Sequence, residues 1–289
     1  MAQDYTAWEA ILVDDGSTDG SLALLETYQN KDKRFRVFAK NNGGVSSARN
    51  YGLTKVIGDW AFFLDADDCL KPNSLSLLLD KTDGVDSVFG GYVILNNNGE
   101  LTYSISDHFE FALDKVQAIE QLFKPWHYRT LGAAWGKLFK IPVIRQYNLH
   151  FNERIHIGED RLFVFEYLSK VNSVYYFTTP VYEYFERPGS AMDSFYKGKN
   201  KHFLTDLDAY LEMNRLTSAM PQKEKVLSLL KYGAKCNFHL LSDSYKPVGW
   251  RGLYIKVLSH WKLLRILSIR DYFRDILLPH ILPQASDTV

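Results

Sequence analysis

Asp65 and Asp67 stand two residues apart at the end of the apolar run Trp60–Leu64, and a second acidic pair, Asp14 and Asp15, ends the run Trp8–Val13. Side chains two apart at a strand terminus point to the same side of the backbone. Carboxylates so placed suit Mg2+ or Mn2+, hard cations that accept one or two carboxylates and complete their shell with phosphate oxygens. Held against a diphosphate, such an ion neutralises the charge that develops as the diphosphate departs. Asp is also a common turn residue, so one acidic turn weighs evenly between a site and a turn. Two on neighbouring strands tip the balance to a site. Asp68 either joins the ion or steadies one of its ligands.

A third run, Phe35–Ala39, ends in Asn41, Asn42, Gly43 and Gly44, with Arg49 a few residues on. Three strand ends thus carry polar clusters suited to a nucleoside diphosphate, and open α/β sheets bind ligands outside the carboxyl ends of their strands. Farther along, Glu159 and Asp160 precede the apolar stretch Leu162–Leu168. At a helix start such acids complement the dipole and serve as caps. The same two groups are also candidates for a base that takes a proton from an attacking hydroxyl. His156 is a weaker candidate: an imidazole suits proton transfer, but a lone loop His is usually just solvated.

The elements that must position these groups alternate over the first hundred residues. The run Glu9–Val13 predicts a strand buried on both faces. A helix capped by Thr18 or Asp19 follows, and Phe35–Ala39 predicts the next strand. A helix from Ser46 or Ser47 through Val56, ended by Gly58, leads to a strand at Trp60–Leu64. Pro72 opens a helix to Leu79, and Val85–Ile94 predicts a fourth strand. This alternation predicts an α/β fold with a Rossmann-like, mostly parallel sheet flanked by helices. Asn96–Gly99 predicts a hairpin tip, followed by a helix near Leu113–Phe123, a helix near Glu159–Ser169 and a strand near Ser173–Phe177. Beyond Lys199 the pattern is helical. The expected division is 1–96 for a nucleotide-binding half, 97–195 for an acceptor half and 196–289 for a helical C-terminal region.

The 34 basic and 34 acidic residues balance, so no global field attracts nucleic acid. Two cysteines, Cys69 and Cys236, without metal spacing suit a reducing compartment. No secretory leader and no apolar run of about 18 residues is visible. The expected location is therefore cytoplasmic.

The segments VDDGSTDGS, NNGGVSSARNYG and GDWAFFLDADD, then WGKLFK, IGEDRLFVFEYL and YEYFERPGSAM, resemble glycosyltransferase family 2 in order and spacing across residues 5–192. This is a large inverting group with a GT-A fold. The resemblance implies transfer from a nucleotide-sugar, most often a UDP-sugar, with a divalent cation. It implies that Asp14 and Asp15 belong to the nucleotide pocket, with Asp15 on the base or ribose, and that Arg49 helps hold the nucleotide. Asp65 and Asp67 would form the DXD pair, Asp67 being the more direct ligand. Asp160 would be the base and Glu159 its partner in orienting the acceptor. Arg187, in Arg187-Pro188-Gly189-Ser190, would grip the diphosphate with its forked guanidinium, though Pro-Gly turns also carry such an Arg. Trp135 and Lys137 would line an acceptor groove, although Trp135 reads equally well as core packing.

The acceptor expected on this resemblance is a growing cell-surface glycan, free or lipid-linked, as in capsule, exopolysaccharide or lipopolysaccharide. Residues 246–274 hold seven basic residues against the single acid Asp271, interleaved with apolar ones. That stretch either rests on the anionic inner face of a membrane or packs its apolar side on the core. Family members begin with a strand and then a helix, and Ala2–Trp8 resembles the end of that helix, so the chain reads as lacking the first strand. An inactive GT-A-like fragment or binding protein is the alternative. Nucleotidyl transfer is a further one, but it wants a Gly-rich loop with a basic residue near the first strand, which is not visible.

Overall fold

The structure, a computed structural model, describes residues 2–105, 108–123, 132–190, 193–194, 205–220, 222–244, 261, 263 and 265–267. The chain divides into two compact units, Met1–Pro188 and Gly189–Val289. The first is α/β and carries every candidate residue named above.

It opens with β1 (Ala10–Asp14), α1 (Ser21–Lys31), β2 (Phe35–Ala39) and α2 (Val45–Leu53). The strands pair in parallel, with Leu12 opposite Val37. Among the described residues β1 pairs with β2 alone, and its apolar side chains are half-buried. The expected burial on both faces is not reached: Ala10 to Val13 are half-buried and only Asp14 is buried. Gly20, rather than Thr18 or Asp19, holds the capping position before α1; the Asp19 carboxylate accepts from the Ser21 amide and hydroxyl. Helix α2 follows Gly44 and stops at Leu53, short of Gly58.

The second sheet comprises β3 (Trp60–Phe62), β4 (Cys69–Leu70), β5 (Ser87–Leu95), β6 (Leu101–Ser104), β7 (Glu110–Asp114), β8 (Lys137–Lys140) and β9 (Ser173–Phe185). Its order is β3-β8-β5-β9-β4, with β6 on β5 and β7 on β9. The pairing is mixed: β5 and β9 are parallel, whereas β8 runs against both β3 and β5. The long central pair β5–β9 carries the core, with Val88, Phe89, Val174, Val181 and Tyr182 fully or almost fully buried. Gly91 permits this approach, since a Cβ there would lie 2.0 Å from the Thr178 carbonyl oxygen. At the predicted hairpin tip the Asn96 side chain accepts from the Asn98 and Glu100 amides.

Four further helices complete this unit: α3 (Ser74–Leu79), α4 (Lys115–Gln121), α5 (Ile141–Gln146) and α6 (Glu159–Lys170). Asp114 and Gln117 form a capping box on α4. Helix α6 buries Leu162, Phe163, Val164, Phe165, Tyr167 and Leu168. In the second unit, α7 (Thr205–Thr217) and α8 (Lys223–Ser244) pack on each other. Among the described residues no helix is long and apolar enough to cross a membrane. Most of 246–274 lies outside the described residues; within it, Leu263, Ile266 and Leu267 are buried and Trp261 is exposed.

Candidate active site

Strand β1 delivers Asp14 and Asp15 to its carboxyl end. The Asp15 carboxylate receives Lys40 Nζ at 2.6 Å and the amides of Gly43 and Gly44 at 3.0 and 2.6 Å. Burial pushes its pKa up, but Lys40 and the two amides outweigh that and hold it below the usual range. Asp14 is buried; its Oδ2 accepts from the Ser17 amide at 3.3 Å, and its Oδ1 is buried without a hydrogen-bond partner. Such a lone acceptor is uncommon in a folded interior.

Arg49 projects from α2, which is fixed in place by its neighbour. The Asn50 side-chain amide donates to the Phe151 carbonyl at 2.9 Å and accepts from the Phe151 amide at 2.7 Å. Over the Phe151 ring, the Arg49 guanidinium spans two carboxylates, Nη2 to Asp65 Oδ1 at 2.7 Å and Nη1 to Asp160 Oδ1 at 2.5 Å. Glu159 lies 3.5 Å from the same nitrogen. The structure thus brings Arg49, Asp65, Glu159 and Asp160 together. Burial disfavours the guanidinium's charge, but the surrounding carboxylates dominate and raise its pKa further. Asp65 shifts upward mainly through burial, with Arg49 opposing.

Beyond Asp65 the acidic turn splits by role. The Asp67 carboxylate is 47% exposed, with Arg187 Nε at 4.0 Å, while Arg187 Nη2 donates to the Asp67 carbonyl at 2.8 Å. Asp68 is buried, and its oxygens accept from the Tyr182 hydroxyl at 2.6 Å and the Phe185 amide at 2.9 Å. Burial pushes the Asp68 carboxyl up to about 6. The Asp65 amide in turn donates to the Tyr182 oxygen at 3.2 Å. Tyr182 therefore pins this turn at two points. Its part is not legible in the sequence, where it is one tyrosine among 18.

Gly158, at φ 88°, turns the chain into α6, and no side chain caps that helix. A φ in this range favours glycine. Instead of capping, Asp160 turns away, with Oδ2 accepting from the Ala134 amide at 3.0 Å. Glu159 is pushed up to about 8 by burial and by the neighbouring Asp160 charge, against the pull of Arg49. His156 is exposed.

Trp135 and Lys137 lie in the interior rather than along an open groove. The Trp135 ring, 5% exposed, stacks on Tyr182 with centroids 4.4 Å apart and an interplanar angle of 7°. Lys137 is 2% exposed, and burial pushes its amine down to about 7. Stacked on both Tyr182 and Tyr184 and this deeply buried, the indole offers no open face to a sugar.

Among the described residues no cluster of three or more His, Cys, Asp or Glu could hold an ion by itself. The donor set at the turn is two carboxylates, which fits a hard cation only when ligand oxygens complete the shell.

A family model described as Glycosyl transferase family 2 matches residues 1–155. Glycosyltransferase GlyA of Streptococcus pneumoniae is 28% identical over 213 residues, covering 71% of this chain and 30% of that protein. The GalNAc(5)-diNAcBac-PP-undecaprenol beta-1,3-glucosyltransferase of Campylobacter jejuni is 28% identical over 278 residues, covering 92% of this chain and 85% of that one. The chain spans 30% of GlyA and 58% of the Bacillus subtilis glycosyltransferase EpsJ, to which it is 29% identical over 68% of its own length. Among solved structures, S. aureus TarS 1–349 in complex with UDP-GlcNAc superposes with a TM-score of 0.73 at 18% identity, covering 93% of this chain and 76% of that one. At that identity the likeness is one of fold, the GT-A α/β architecture.

Proposed function

The chain belongs to glycosyltransferase family 2, and on that premise we propose that it moves one sugar, with inversion, from a UDP-sugar to a hydroxyl of a growing cell-surface glycan. The observation that carries this reading is the Arg49 guanidinium, which links the cation-side carboxylate Asp65 to the candidate base Asp160. One residue thereby joins the two ends of a displacement: the leaving diphosphate and the attacking hydroxyl. A lipid-linked acceptor is favoured by the Campylobacter relative, whose name specifies a PP-undecaprenol substrate. The UDP donor is favoured by the fold shared with a protein solved with UDP-GlcNAc.

In this reading Asp14 and Asp15 shape the nucleotide pocket and Arg187 faces the diphosphate. Asp65 and Asp67 would hold Mn2+ or Mg2+, which supplies positive charge at the departing diphosphate. Asp160 accepts the acceptor hydroxyl's proton while that oxygen attacks the anomeric carbon from the face opposite the diphosphate. Arg49 and the Ala134 amide hold the Asp160 carboxylate in place, and Glu159, carrying its own proton at neutral pH, adds no second negative charge beside it. Asp68 acts through Tyr182 and Phe185 rather than on the ion. Contact with an anionic membrane through 246–274 belongs to the same proposal.

The experiment is UDP release from UDP-glucose, UDP-galactose and UDP-N-acetylglucosamine with Mn2+, alongside calorimetry with UDP and Mn2+. Release, with water as the accepting hydroxyl, that vanishes in Asp67→Ala supports cation-assisted cleavage of the bond between sugar and diphosphate. Heat of binding without release from any donor would leave a binding protein, and neither heat nor release in the folded chain would overturn the proposal.

A further inference from the structure

Lys137 is the buried cation that the scheme above leaves without work. Its Nζ donates to two carbonyls, Ala133 O at 2.7 Å and Trp135 O at 3.3 Å, and it sits 5.0 Å from the centre of the Phe89 ring. Burying an amine against carbonyls and rings is costly where an apolar side chain of the same length would pack freely. Its donors must therefore hold something that packing cannot.

What they hold is a peptide plane. The Ala133 carbonyl and the Ala134 N–H belong to one planar trans unit, in which the oxygen and the hydrogen point in opposite directions. Lys137 takes the oxygen on one side, and the hydrogen meets Asp160 Oδ2 at an N···O distance of 3.0 Å on the other. The second bond, to Trp135 O, fixes the next peptide of the same turn. Asp160 is thus gripped from two directions, by Arg49 on Oδ1 and by this backbone amide on Oδ2. We infer that Lys137 is a positioning residue, setting the Ala133–Ala134 peptide so that its N–H fixes the orientation of the Asp160 carboxylate.

This inference rests on Asp160 being the base, so the test is a double-mutant cycle of Lys137→Met and Asp160→Asn, read as UDP release from the UDP-sugars named above. Alone, Lys137→Met is expected to lower kcat ~10- to 100-fold with donor KM changed less than about twofold, the scale set by small misplacements of reacting groups. In the Asp160→Asn background the same change should add less than about twofold. If Asp160→Asn is impaired and Lys137→Met adds its full factor on top, the positioning role is wrong. If Asp160→Asn is fully active, the base assignment is wrong instead. Hydrogen exchange at the Ala134 amide gives a readout that needs no substrate. It should be strongly protected in the wild-type chain and exchange about tenfold or more faster in Lys137→Met; exchange at the free-peptide rate in the wild type, or none faster in the variant, overturns the inference. Should Lys137→Met not fold, Lys137→Gln, which keeps an N–H donor on a shorter stem, enters the same cycle under the same criteria, and the wild-type exchange rate still decides.

Discussion

At the scale of single residues, the guanidinium that spans two carboxylates makes the sharpest demand. Lysine keeps the charge of Arg49 but reaches one carboxylate at a time. Arg49→Lys is expected to lower kcat ~10-fold or more with little change in donor KM. A guanidinium that mainly gripped the nucleotide would show its loss in KM instead, so steady-state kinetics separates the two. Glu159 gives a pH prediction. Its native pKa of about 8 exceeds the ordinary 4.5, so between those values the native state binds more protons than the unfolded one. Its contribution is therefore fully present below about 4.5 and is lost as pH rises toward about 8. Gln does not ionise, so Glu159→Gln should gain stability relative to wild type across that window, and a flat difference in Tm from pH 4.5 to 8 would contradict it. Of these residues, Asp65 was legible in the sequence because two strand-like runs both end in acidic clusters. Glu159 and Asp160, at a helix start that dipole and capping also explain, stood out only through the family resemblance. The pairing of Arg49 with Asp160 was not legible, since 111 positions separate them and neither residue type names its partner. Nor was the work of Lys137, because a lysine in a short apolar run reads as exposed.

At the scale of elements, β1 is bonded to β2 on one side, and among the described residues no strand pairs with its other side. Ala10 donates to Arg34 O, so the alternation of a strand turns the Leu12 amide to β2 and the Ile11 and Val13 amides away from it. Hydrogen exchange should find Leu12 protected and Ile11 and Val13 about tenfold or more faster; equal protection would mean the other side is covered in solution. In β5, Gly91→Ala would drive a Cβ into the Thr178 backbone, where no flexible side chain can yield. A loss of about 2 kcal/mol or more is expected in urea unfolding, and a near-neutral result would show that the β5–β9 pairing can shift. Long elements were the readable ones: α6 appears where its apolar stretch and acidic start place it. The strands β4, β7 and β8 did not stand out, being two to five residues long and set at sheet margins or, in β8, bounded by a lysine at each end. Strand β9 was foreseen only over its first half, since Thr178, Thr179 and Pro180 interrupt its apolar pattern. Tertiary pairing overrides that interruption, because the second half finds partners in β4 and β5.

At the scale of the molecule, every candidate residue from Asp14 to Arg187 falls within the first compact unit. The two halves expected on either side of residue 96 share one sheet, in which β5 before it pairs with β8 and β9 after it. Ligand that binds only the native chain should stabilise it by mass action, about 2.7 kcal/mol at a hundredfold excess over Kd. UDP with Mn2+ is therefore expected to raise Tm, and adding a chelator to remove most of that gain. A Tm that rises equally with UDP alone would argue that the two carboxylates do not share an ion with the diphosphate. The stack of Trp135 on Tyr182 has an optical consequence. Because the same tyrosine oxygen meets Asp65 and Asp68, any ligand that shifts the acidic turn also disturbs the surroundings of an indole. The emission of Trp135, isolated by difference against Trp135→Phe, would then serve as an intrinsic fluorescent gauge of occupancy, usable before any product is known.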